Sequence, residues 1–295
     1  MKRIRYEDYL DFLRENESVI IGRTKIRSNK EQKISVLAPS DFHLETETVW
    51  SFPDRGEWAT HKGDFRGNWS PYIPRNLILR YTVPRETVLD QMCGSGTTLI
   101  ESKLLGRNAI GVDINPQAIM LSHNRLDFSN KEADTESQIE LYVGDARNLH
   151  LIKNESVDLI ATHPPYAGII KYSNKLEGDL SCLKIPAYIK AMKKVAEESF
   201  RVLKQGHICA VLVGDTRKHL HYIPISTMVL NQFIETGFLL REDIIKLQWK
   251  TKTSYEKWRG KQRFYKIAHE HIFVFRKPLH DEKLSKYKYS RTLTI

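Results

Sequence analysis

The sequence has few cysteines and no long apolar run, and both absences exclude broad classes of protein. Its three cysteines, Cys93, Cys182 and Cys209, are scattered, and they fit neither a disulfide framework nor a zinc site. No apolar segment approaches the roughly 20 residues that a membrane-spanning helix needs. The first residues, MKRIRYEDYLDF, lack the apolar core of a signal peptide. We therefore expect a cytoplasmic protein with no membrane association and no resident metal.

Acidic residues are outnumbered by basic ones, 36 against 46, which gives a formal net charge of +10. Such an excess indicates a polyanionic partner, although a basic but otherwise ordinary surface stays open as the alternative. With 295 residues, of which 41% are hydrophobic, the chain has ample material for one large core.

Apolar, β-branched runs alternate with helical patterns through the middle of the chain. Helices are expected from Thr97, from Asn115 and over residues 183–203. Near-continuous apolar strands separated by helices are typical of a parallel sheet that is covered on both faces. The sequence therefore predicts a doubly wound α/β fold. The predicted strands cover residues 86–92, 108–114, 139–145, 157–163 and 207–215.

The two ends of the chain differ from this pattern. After a predicted helix near residues 224–236 come two strands, 238–249 and 271–277, with no helix required between them. They predict an antiparallel pair at the edge of a mostly parallel, seven-stranded sheet. Residues 1–45 show one helix, at about 6–15, and no strong strand pattern, so they are interpreted as an N-terminal extension ahead of a domain over 46–295.

A glycine-rich segment, LDQMCGSGTTLIES, joins the first of the five predicted strands to its helix. Gly94 and Gly96 let the backbone approach a ligand closely, and the helix N-terminus offers unpaired N–H groups. A dinucleotide loop would need a third glycine where Leu99 stands, and the G-K-[ST] of a phosphate loop is absent. This favours a smaller, non-phosphorylated nucleoside.

Acidic residues end three of the predicted strands. Asp90 could face an ammonium group, and Asp113 follows at about the distance at which a carboxylate meets a ribose diol. Asp145 could accept a hydrogen bond from an adenine amino group. Each acid alone is an ordinary cap or turn former. Because ligands of open α/β sheets bind at this edge, the three together predict S-adenosylmethionine.

Two motifs resemble those of the class I S-adenosylmethionine-dependent methyltransferases with a Rossmann-like fold, and more narrowly the DNA amino-methyltransferases. DQMCGSGTT (90–98) resembles the cofactor loop D-P-F-x-G-S-G-T-T, and THPPY (162–166) resembles the catalytic [S/N/D]-P-P-[Y/F]. Residues 63–82 resemble the segment over the methionine end of the cofactor, and 269–277 the last strand. The cofactor-binding residues expected from the loop and the strand ends are Asp90, Met92, Cys93, Gly94, Ser95, Gly96, Thr97, Thr98, Asp113, Ile114, Asn115, Asp145 and Ala146.

The resemblance assigns catalysis to His163, Pro164, Pro165 and Tyr166. The exocyclic nitrogen of a base is a poor nucleophile, and accepting hydrogen bonds from its N–H groups frees its lone pair. The Pro164 carbonyl, held rigid by Pro165, is a candidate acceptor, and Tyr166 could stack on a base rotated out of the duplex.

His163 departs from the family pattern, in which this position is Ser, Asn or Asp. A neutral imidazole could accept the second hydrogen bond and then the released proton. We therefore predict that activity falls as the pH drops through the pKa of His163, the alternative being a purely structural histidine.

A basic and aromatic segment at about residues 245–266 is the candidate target-recognition loop. Its cations suit phosphates and its aromatic rings suit bases, although a solvated loop packed on the sheet is the alternative. Double-stranded DNA is the expected partner, and a cognate restriction endonuclease is a further candidate. Lys246 belongs to the basic set, and the residues predicted to bind nucleic acid are Lys250, Lys252, Trp258, Arg259, Lys261 and Arg263.

The resulting hypothesis is methyl transfer to an exocyclic amine in DNA, with cytosine N4 slightly favoured over adenine N6. An RNA enzyme that methylates the guanine amine in tRNA is the rival, since its family has a similar glycine loop and a D-P-P-Y motif. A nucleic-acid-binding protein with a vestigial methyltransferase fold is the non-enzymatic alternative.

Overall fold

The structure is a computed structural model that describes residues 1–28, 32–129, 137–167, 176–249 and 264–292. Its strands are β1 (Lys2–Ile4), β2 (Ser18–Ile21), β3 (Thr24–Arg27), β4 (Val49–Trp50), β5 (Thr87–Asp90), β6 (Asn108–Asp113), β7 (Ile139–Val143), β8 (Val157–Thr162), β9 (Leu203–Val213), β10 (Thr216–Lys218), β11 (His221–Ile223), β12 (Leu239–Leu247) and β13 (His269–Arg276). Its α-helices are α1 (Tyr6–Glu15), α2 (Tyr72–Tyr81), α3 (Thr97–Leu104), α4 (Pro116–Leu126), α5 (Ile185–Val202) and α6 (Ile225–Thr236). Two 3₁₀ helices cover Leu180–Cys182 and Leu284–Ser290.

The central sheet confirms the predicted α/β class. Across the described residues it has nine strands in the order β1-β7-β6-β5-β8-β9-β13-β12-β4. The five strands from β7 to β9 run parallel to one another. With β13 and β12 they form the seven that the sequence predicts, and the short β1 and β4 extend the two edges.

Of the two predicted C-terminal strands, β13 runs antiparallel to the parallel strands and lies inside the sheet, whereas the antiparallel strand at an edge is β1. Strand β13 pairs antiparallel with both β9 and β12. The physical reason is its composition, because the run Ile272–Phe275 is buried throughout, as suits a strand that is covered on both faces.

The first 45 residues contain three strands that the sequence did not predict. β1 pairs antiparallel with β7, and β2 and β3 form a hairpin. Val19 and Ile21 of the hairpin pack with Phe65 and with the α4 residue Leu121. Strands of three or four residues with mixed polarity carry little periodic signal, which explains why the pattern was missed.

Helices cover both faces of the sheet and form its two main cores. On one face α5 and α6 bury Tyr188 and Phe233 against strand residues such as Phe275. On the other face α2 buries Ile73 and Leu77 together with residues of β8 and β13. Every residue of β8 is buried, so the segment that follows it, which carries the His-Pro-Pro-Tyr motif, leaves a rigid strand.

Gly111 in β6 is expected to tolerate no side chain. A Cβ atom there would lie 2.5 Å from Leu99 Cδ1 and 2.6 Å from Leu141 Cδ2. We expect Gly111→Ala to lower the free energy of unfolding by about 1–3 kcal/mol, because extra atoms in a packed core force neighbours out of position. Urea unfolding of the two proteins measures this change.

Gly63→Ala is the matched control, since the nearest side-chain atom to a Cβ there is 3.5 Å away. We expect it to change the unfolding free energy by no more than about 0.5 kcal/mol. Equal losses for the two variants would contradict the packing argument.

Among the described residues, no helix combines the length and the apolar character that crossing a membrane requires.

Candidate active site

The carboxyl ends of the parallel strands open into a cavity of about 880 Å³, a volume that includes its mouth. Most of the predicted cofactor-binding and catalytic residues line it. Four do not: Gly96, Thr98, Pro164 and Tyr166. The predicted residues that line it are Asp90, Met92, Cys93, Gly94, Ser95, Thr97, Asp113, Ile114, Asn115, Asp145, Ala146, His163 and Pro165.

Two glycines shape the loop between β5 and α3. Gly94 and Gly96 have φ angles of 53° and 82°, in the left-handed region that favours glycine. A Cβ atom on Gly96 would lie 3.1 Å from the Ser122 hydroxyl of α4, so Gly96 packs the loop against this helix. Gly96 therefore shapes the turn and does not line the cavity.

Asp113 ends β6 and holds this loop in place. Its carboxylate accepts hydrogen bonds from the backbone N–H of Gly94, at 2.9 Å, and of Asn115, at 2.8 Å. Since an ionised carboxylate offers about four acceptor positions, two remain for a ligand. Burial raises the pKa of Asp113 to about 6, and the two backbone hydrogen bonds lower it only in part.

Asp90 ends β5 and is more deeply enclosed, with 3% of its surface exposed. Its oxygens accept from the hydroxyls of Thr98, at 2.6 Å, and Thr162, at 2.9 Å, and from the backbone N–H of Met92 at 3.2 Å. Burial raises the pKa of this carboxyl to about 6 as well. Thr98 thus contacts Asp90 rather than the cavity.

Asp145 follows β7 and lines the cavity, but its carboxylate is already engaged. The Arg147 guanidinium donates to both oxygens, with Nε–Oδ1 at 2.9 Å and Nη2–Oδ2 at 2.5 Å. Part of the acceptor capacity that the sequence assigned to an adenine amino group is therefore used within the protein.

The charge of the cavity wall fits a cationic nucleoside. Four carboxylates line it, those of Asp90, Asp113, Asp145 and Asp179, and the lining residues of the described chain include neither lysine nor arginine. A ligand with phosphate groups would meet like charges, whereas the sulfonium and ammonium groups of S-adenosylmethionine would meet opposite ones. The residues present therefore fit that cofactor.

Three parts of the cavity wall lie outside the predicted cofactor-binding and catalytic residues. Ile21 extends from the β2–β3 hairpin. Phe65 packs against the loop glycines, where a Cβ on Gly94 would lie 3.1 Å from its ring. Leu176 and Asp179 belong to the stretch after the His-Pro-Pro-Tyr motif. The resemblance over residues 63–82 was the signal for Phe65, whereas the single residue that the short hairpin contributes leaves no signal in the sequence.

His163 faces the cavity and is held on two sides. The Trp69 ring stacks on it, with centroids 5.9 Å apart and an interplanar angle of 26°. Its Nε2 lies 2.8 Å from the Tyr166 hydroxyl. Burial lowers the pKa of His163 to about 4, the carboxylate of Glu270 raises it, and the Lys246 ammonium lowers it further. The imidazole is therefore neutral near pH 7 and can accept a proton.

Tyr166 is turned away from the cavity. Its hydroxyl donates to Glu270 Oε1 at 2.7 Å, and its ring lies against the residue that follows β9, where a Cβ on Gly214 would come within 3.0 Å of Tyr166 Cε2. Stacking on a base would require this side chain to leave both contacts. Pro164 is buried and does not line the cavity.

The residues predicted to bind nucleic acid, Lys250, Lys252, Trp258, Arg259, Lys261 and Arg263, lie outside the described residues. The flanks of this segment are described. The Trp249 indole donates to the Ser51 hydroxyl at 3.1 Å, and the Arg217 guanidinium donates to the Tyr265 carbonyl at 2.8 Å. Lys246, which the sequence grouped with the phosphate-binding cations, instead donates to Glu270 at 2.9 Å.

Comparison with protein families matches residues 7–124 and 157–292 to a family described as DNA methylase. Residues 79–209 also match an RMKL-like methyltransferase domain. The match to the DNA methylase family includes the glycine loop, the end of β8 and strands β12 and β13.

Two curated relatives carry the names of different methyltransferases. The chain is 29% identical to a tRNA (guanine(10)-N2)-dimethyltransferase of Methanothermobacter thermautotrophicus, over 48% of this chain and 46% of the relative. It is 30% identical to the type II methyltransferase M.BglI of Bacillus subtilis, over 40% of this chain and 35% of the relative. The matches thus span less than half of each relative's length.

Among solved structures, a SAM-dependent methyltransferase of Methanosarcina mazei matches with a TM-score of 0.50 and 17% identity. The match covers 69% of this chain and 98% of that one, and it supports the fold alone.

Proposed function

The chain belongs to the DNA methylase family of N6 and N4 amino-methyltransferases, its cofactor is S-adenosylmethionine, and we propose that it methylates an exocyclic amino group of a base in DNA. Cytosine N4 is the preferred target over adenine N6. The observation that carries the proposal is the position of the His-Pro-Pro-Tyr segment, which brings His163 and Pro165 to the wall of the anionic cofactor cavity. The same proposal includes double-stranded DNA as the substrate of the whole protein and a cognate restriction endonuclease as its partner.

When bound, S-adenosylmethionine supplies a methyl group on a positively charged sulfur, which leaves as a neutral thioether when an amine takes the methyl. Asp113 is proposed to accept from the two ribose hydroxyls, because its carboxylate retains acceptor positions beside the loop. Asp90 and the neighbouring acids are proposed to hold the cationic end of the cofactor by charge. The loop from Met92 to Thr97, with Ile114, Asn115 and Ala146, is proposed to enclose the nucleoside.

On the substrate side, His163 is proposed to accept a hydrogen bond from the amine and then its proton. The Pro164 carbonyl, held rigid by Pro165, is proposed as the second acceptor. Fixing the amine beside the methyl group supplies much of the acceleration, since positioning replaces a bimolecular encounter. The basic segment at residues 250–263 is proposed to hold the phosphates of the duplex.

Methylation of the guanine amine in tRNA is a second candidate. It is favoured by the similarity to a tRNA (guanine(10)-N2)-dimethyltransferase and by the match to the RMKL-like domain. Both chemistries need an activated exocyclic amine beside the cofactor, so the cavity fits either substrate.

Expression in a methylation-free bacterial host tests the two candidates together. Single-molecule sequencing of the genomic DNA is expected to reveal one modified motif, and the modified base then identifies cytosine N4 or adenine N6. A variant with Asp113→Ala serves as the inactive control. Unmodified DNA together with newly methylated guanine in tRNA would replace the DNA proposal with the second candidate.

Cofactor binding is expected to weaken in acid. Burial raises the pKa of Asp90 and Asp113 to about 6, so both are ionised above this pH and become protonated as the pH falls through it. If the ligand needs both carboxylates, its dissociation constant rises roughly tenfold between about pH 7.5 and pH 5.5. Calorimetric titration measures this rise, with circular dichroism as a control for folding. An affinity that stays constant down to about pH 5 would contradict the proposed contacts.

A further inference from the structure

A chain of hydrogen bonds leads from the active site to an ion pair on the neighbouring strands. His163 Nε2 lies 2.8 Å from the Tyr166 hydroxyl, and this hydroxyl donates to Glu270 Oε1 at 2.7 Å. The other Glu270 oxygen accepts from Lys246 Nζ at 2.9 Å. Glu270 of β13 and Lys246 of β12 are directly paired across the two strands, so the sheet itself fixes the end of this hydrogen-bond series that lies away from His163.

The ionisation state of Glu270 determines which atoms of these hydrogen bonds carry the hydrogens. Burial alone would raise its pKa, but Lys246, His163 and Tyr166 outweigh burial and the pKa lies below its usual value. An ionised carboxylate only accepts hydrogen bonds, so the Tyr166 hydroxyl must donate to it. Because its one hydrogen goes to Glu270, the tyrosine oxygen can only accept from His163, so Nε2 of His163 must carry the hydrogen.

We propose that Glu270, held by Lys246, is a positioning residue that fixes His163 through Tyr166 as the Nε2–H tautomer, leaving Nδ1 as the atom that takes the proton of the methylated amine. This inference rests on the proposed function. In this step the N–H bond of the amine breaks, its electron pair returns to the amine nitrogen, and the proton forms a new bond to Nδ1. The resulting imidazolium faces the negative charge of Glu270 through the tyrosine hydroxyl, and it later releases the proton to water.

The charges around His163 suit a group that is neutral before the reaction and charged only briefly after it. Burial and Lys246 disfavour the imidazolium, whereas Glu270 favours it, and so does the Gly67 backbone, which can accept a hydrogen bond from the second ring N–H that only the imidazolium has. Trp69 and Tyr166 also contact the ring through their aromatic rings. A carboxylate that orients an imidazole sets which nitrogen is protonated, and that choice decides whether the ring can act as a base.

The competing explanation is that Lys246 and Glu270 only join β12 to β13. Their side chains are 17% and 10% exposed, and a buried pair of this kind often serves the fold alone. The two explanations differ in what happens at His163 when the ion pair stays and the link through Tyr166 is removed.

Nitrogen-15 NMR of histidine-labelled protein separates them, with the His163 signals identified by their absence from His163→Asn. In the wild-type protein we expect the Nε2–H tautomer. In Glu270→Gln and in Tyr166→Phe we expect a mixture of the two tautomers, although Tyr166→Phe leaves the ion pair in place. Lys204→Met, which removes the 2.7 Å pair with Asp158 elsewhere in the sheet, is the control and should leave these signals unchanged.

The pH titration of the same signals gives a second readout. Removing the negative charge in Glu270→Gln should lower the pKa of His163, and removing the positive charge in Lys246→Met should raise it. These shifts check that the two charges act on His163, and either explanation predicts them, so the tautomer decides between the two. An unchanged tautomer in both Glu270→Gln and Tyr166→Phe would overturn the inference, and Tyr166→Phe decides the question if Glu270→Gln does not fold.

Activity completes the test. We expect Glu270→Gln to lower kcat by about 10- to 100-fold with unchanged affinity for S-adenosylmethionine. Failure of the proposed function can be distinguished from failure of the positioning role. In that case the wild-type protein itself would bind the cofactor but methylate neither DNA nor RNA. Unaltered kcat in Glu270→Gln, in a wild-type enzyme that is active, would overturn the positioning role.

Discussion

Asp113→Ala is expected to weaken S-adenosylmethionine binding by at least about 100-fold. The carboxylate ends β6 at the cavity and accepts backbone hydrogen bonds from Gly94 of the glycine loop and from Asn115. Its remaining acceptor positions are proposed to bind the ribose diol. Two hydrogen bonds to a charged group contribute about 3–6 kcal/mol together, which corresponds to a loss of two orders of magnitude or more. Calorimetric titration measures the dissociation constant.

Asp145→Ala is the matched control at the neighbouring strand end. Because Arg147 already occupies both of its oxygens, we expect a loss of about tenfold or less. Burial raises the pKa of Asp113, so its charge opposes folding near neutral pH, and a neutral residue there should leave the protein folded. Similar losses for the two variants would contradict the assignment of the diol to Asp113.

His163→Ala is expected to lower the rate of methyl transfer by about 100-fold or more, with cofactor binding largely retained. The variant loses a hydrogen-bond acceptor for the amine and the group that takes its proton, and a positioned base typically contributes 10²–10⁴-fold, roughly. Transfer of radiolabelled methyl groups from the cofactor to DNA measures the rate. Activity close to that of the wild-type protein would mean that His163 is structural.

His163→Asn restores a residue that the family pattern has at this position, and we expect it to be more active than His163→Ala. It also tests the pH dependence. The pKa of His163 lies at about 4 because the ring is buried, so at saturating cofactor the wild-type rate should stay constant to about pH 5 and fall only near pH 4. His163→Asn should lack this fall. A wild-type rate that already declines near pH 6.5 would contradict the lowered pKa.

The parallel strands and their helices could be predicted because their signals are local. β5 to β9 are apolar runs with helices between all of them except β7 and β8, and the glycine loop lies between a strand and a helix in the chain itself. Since parallel strands place all their carboxyl ends at one edge of the sheet, the same patterns predicted that Asp90, Asp113 and Asp145 would meet. All three line one cavity.

Contacts between distant segments could not be predicted in this way. The β2–β3 hairpin contributes Ile21 to the cavity wall, yet its strands of four residues each carry almost no periodic signal. Arg147, two residues from Asp145, folds back onto that carboxylate, although nothing in the spacing distinguishes it from a solvent-exposed arginine.

The amino-acid sequence alone determined the class of the fold, the edge of the sheet that carries the site and the identity of the cofactor. These follow from periodicity and from short motifs, which act over a few residues. Only the tertiary structure decided that Lys246 pairs with Glu270 and that Tyr166 turns toward this pair rather than into the cavity. It also decided that His163 is neutral near pH 7, because burial and the sum of charges from separate strands set a pKa, and the order of residues along the chain does not give that sum.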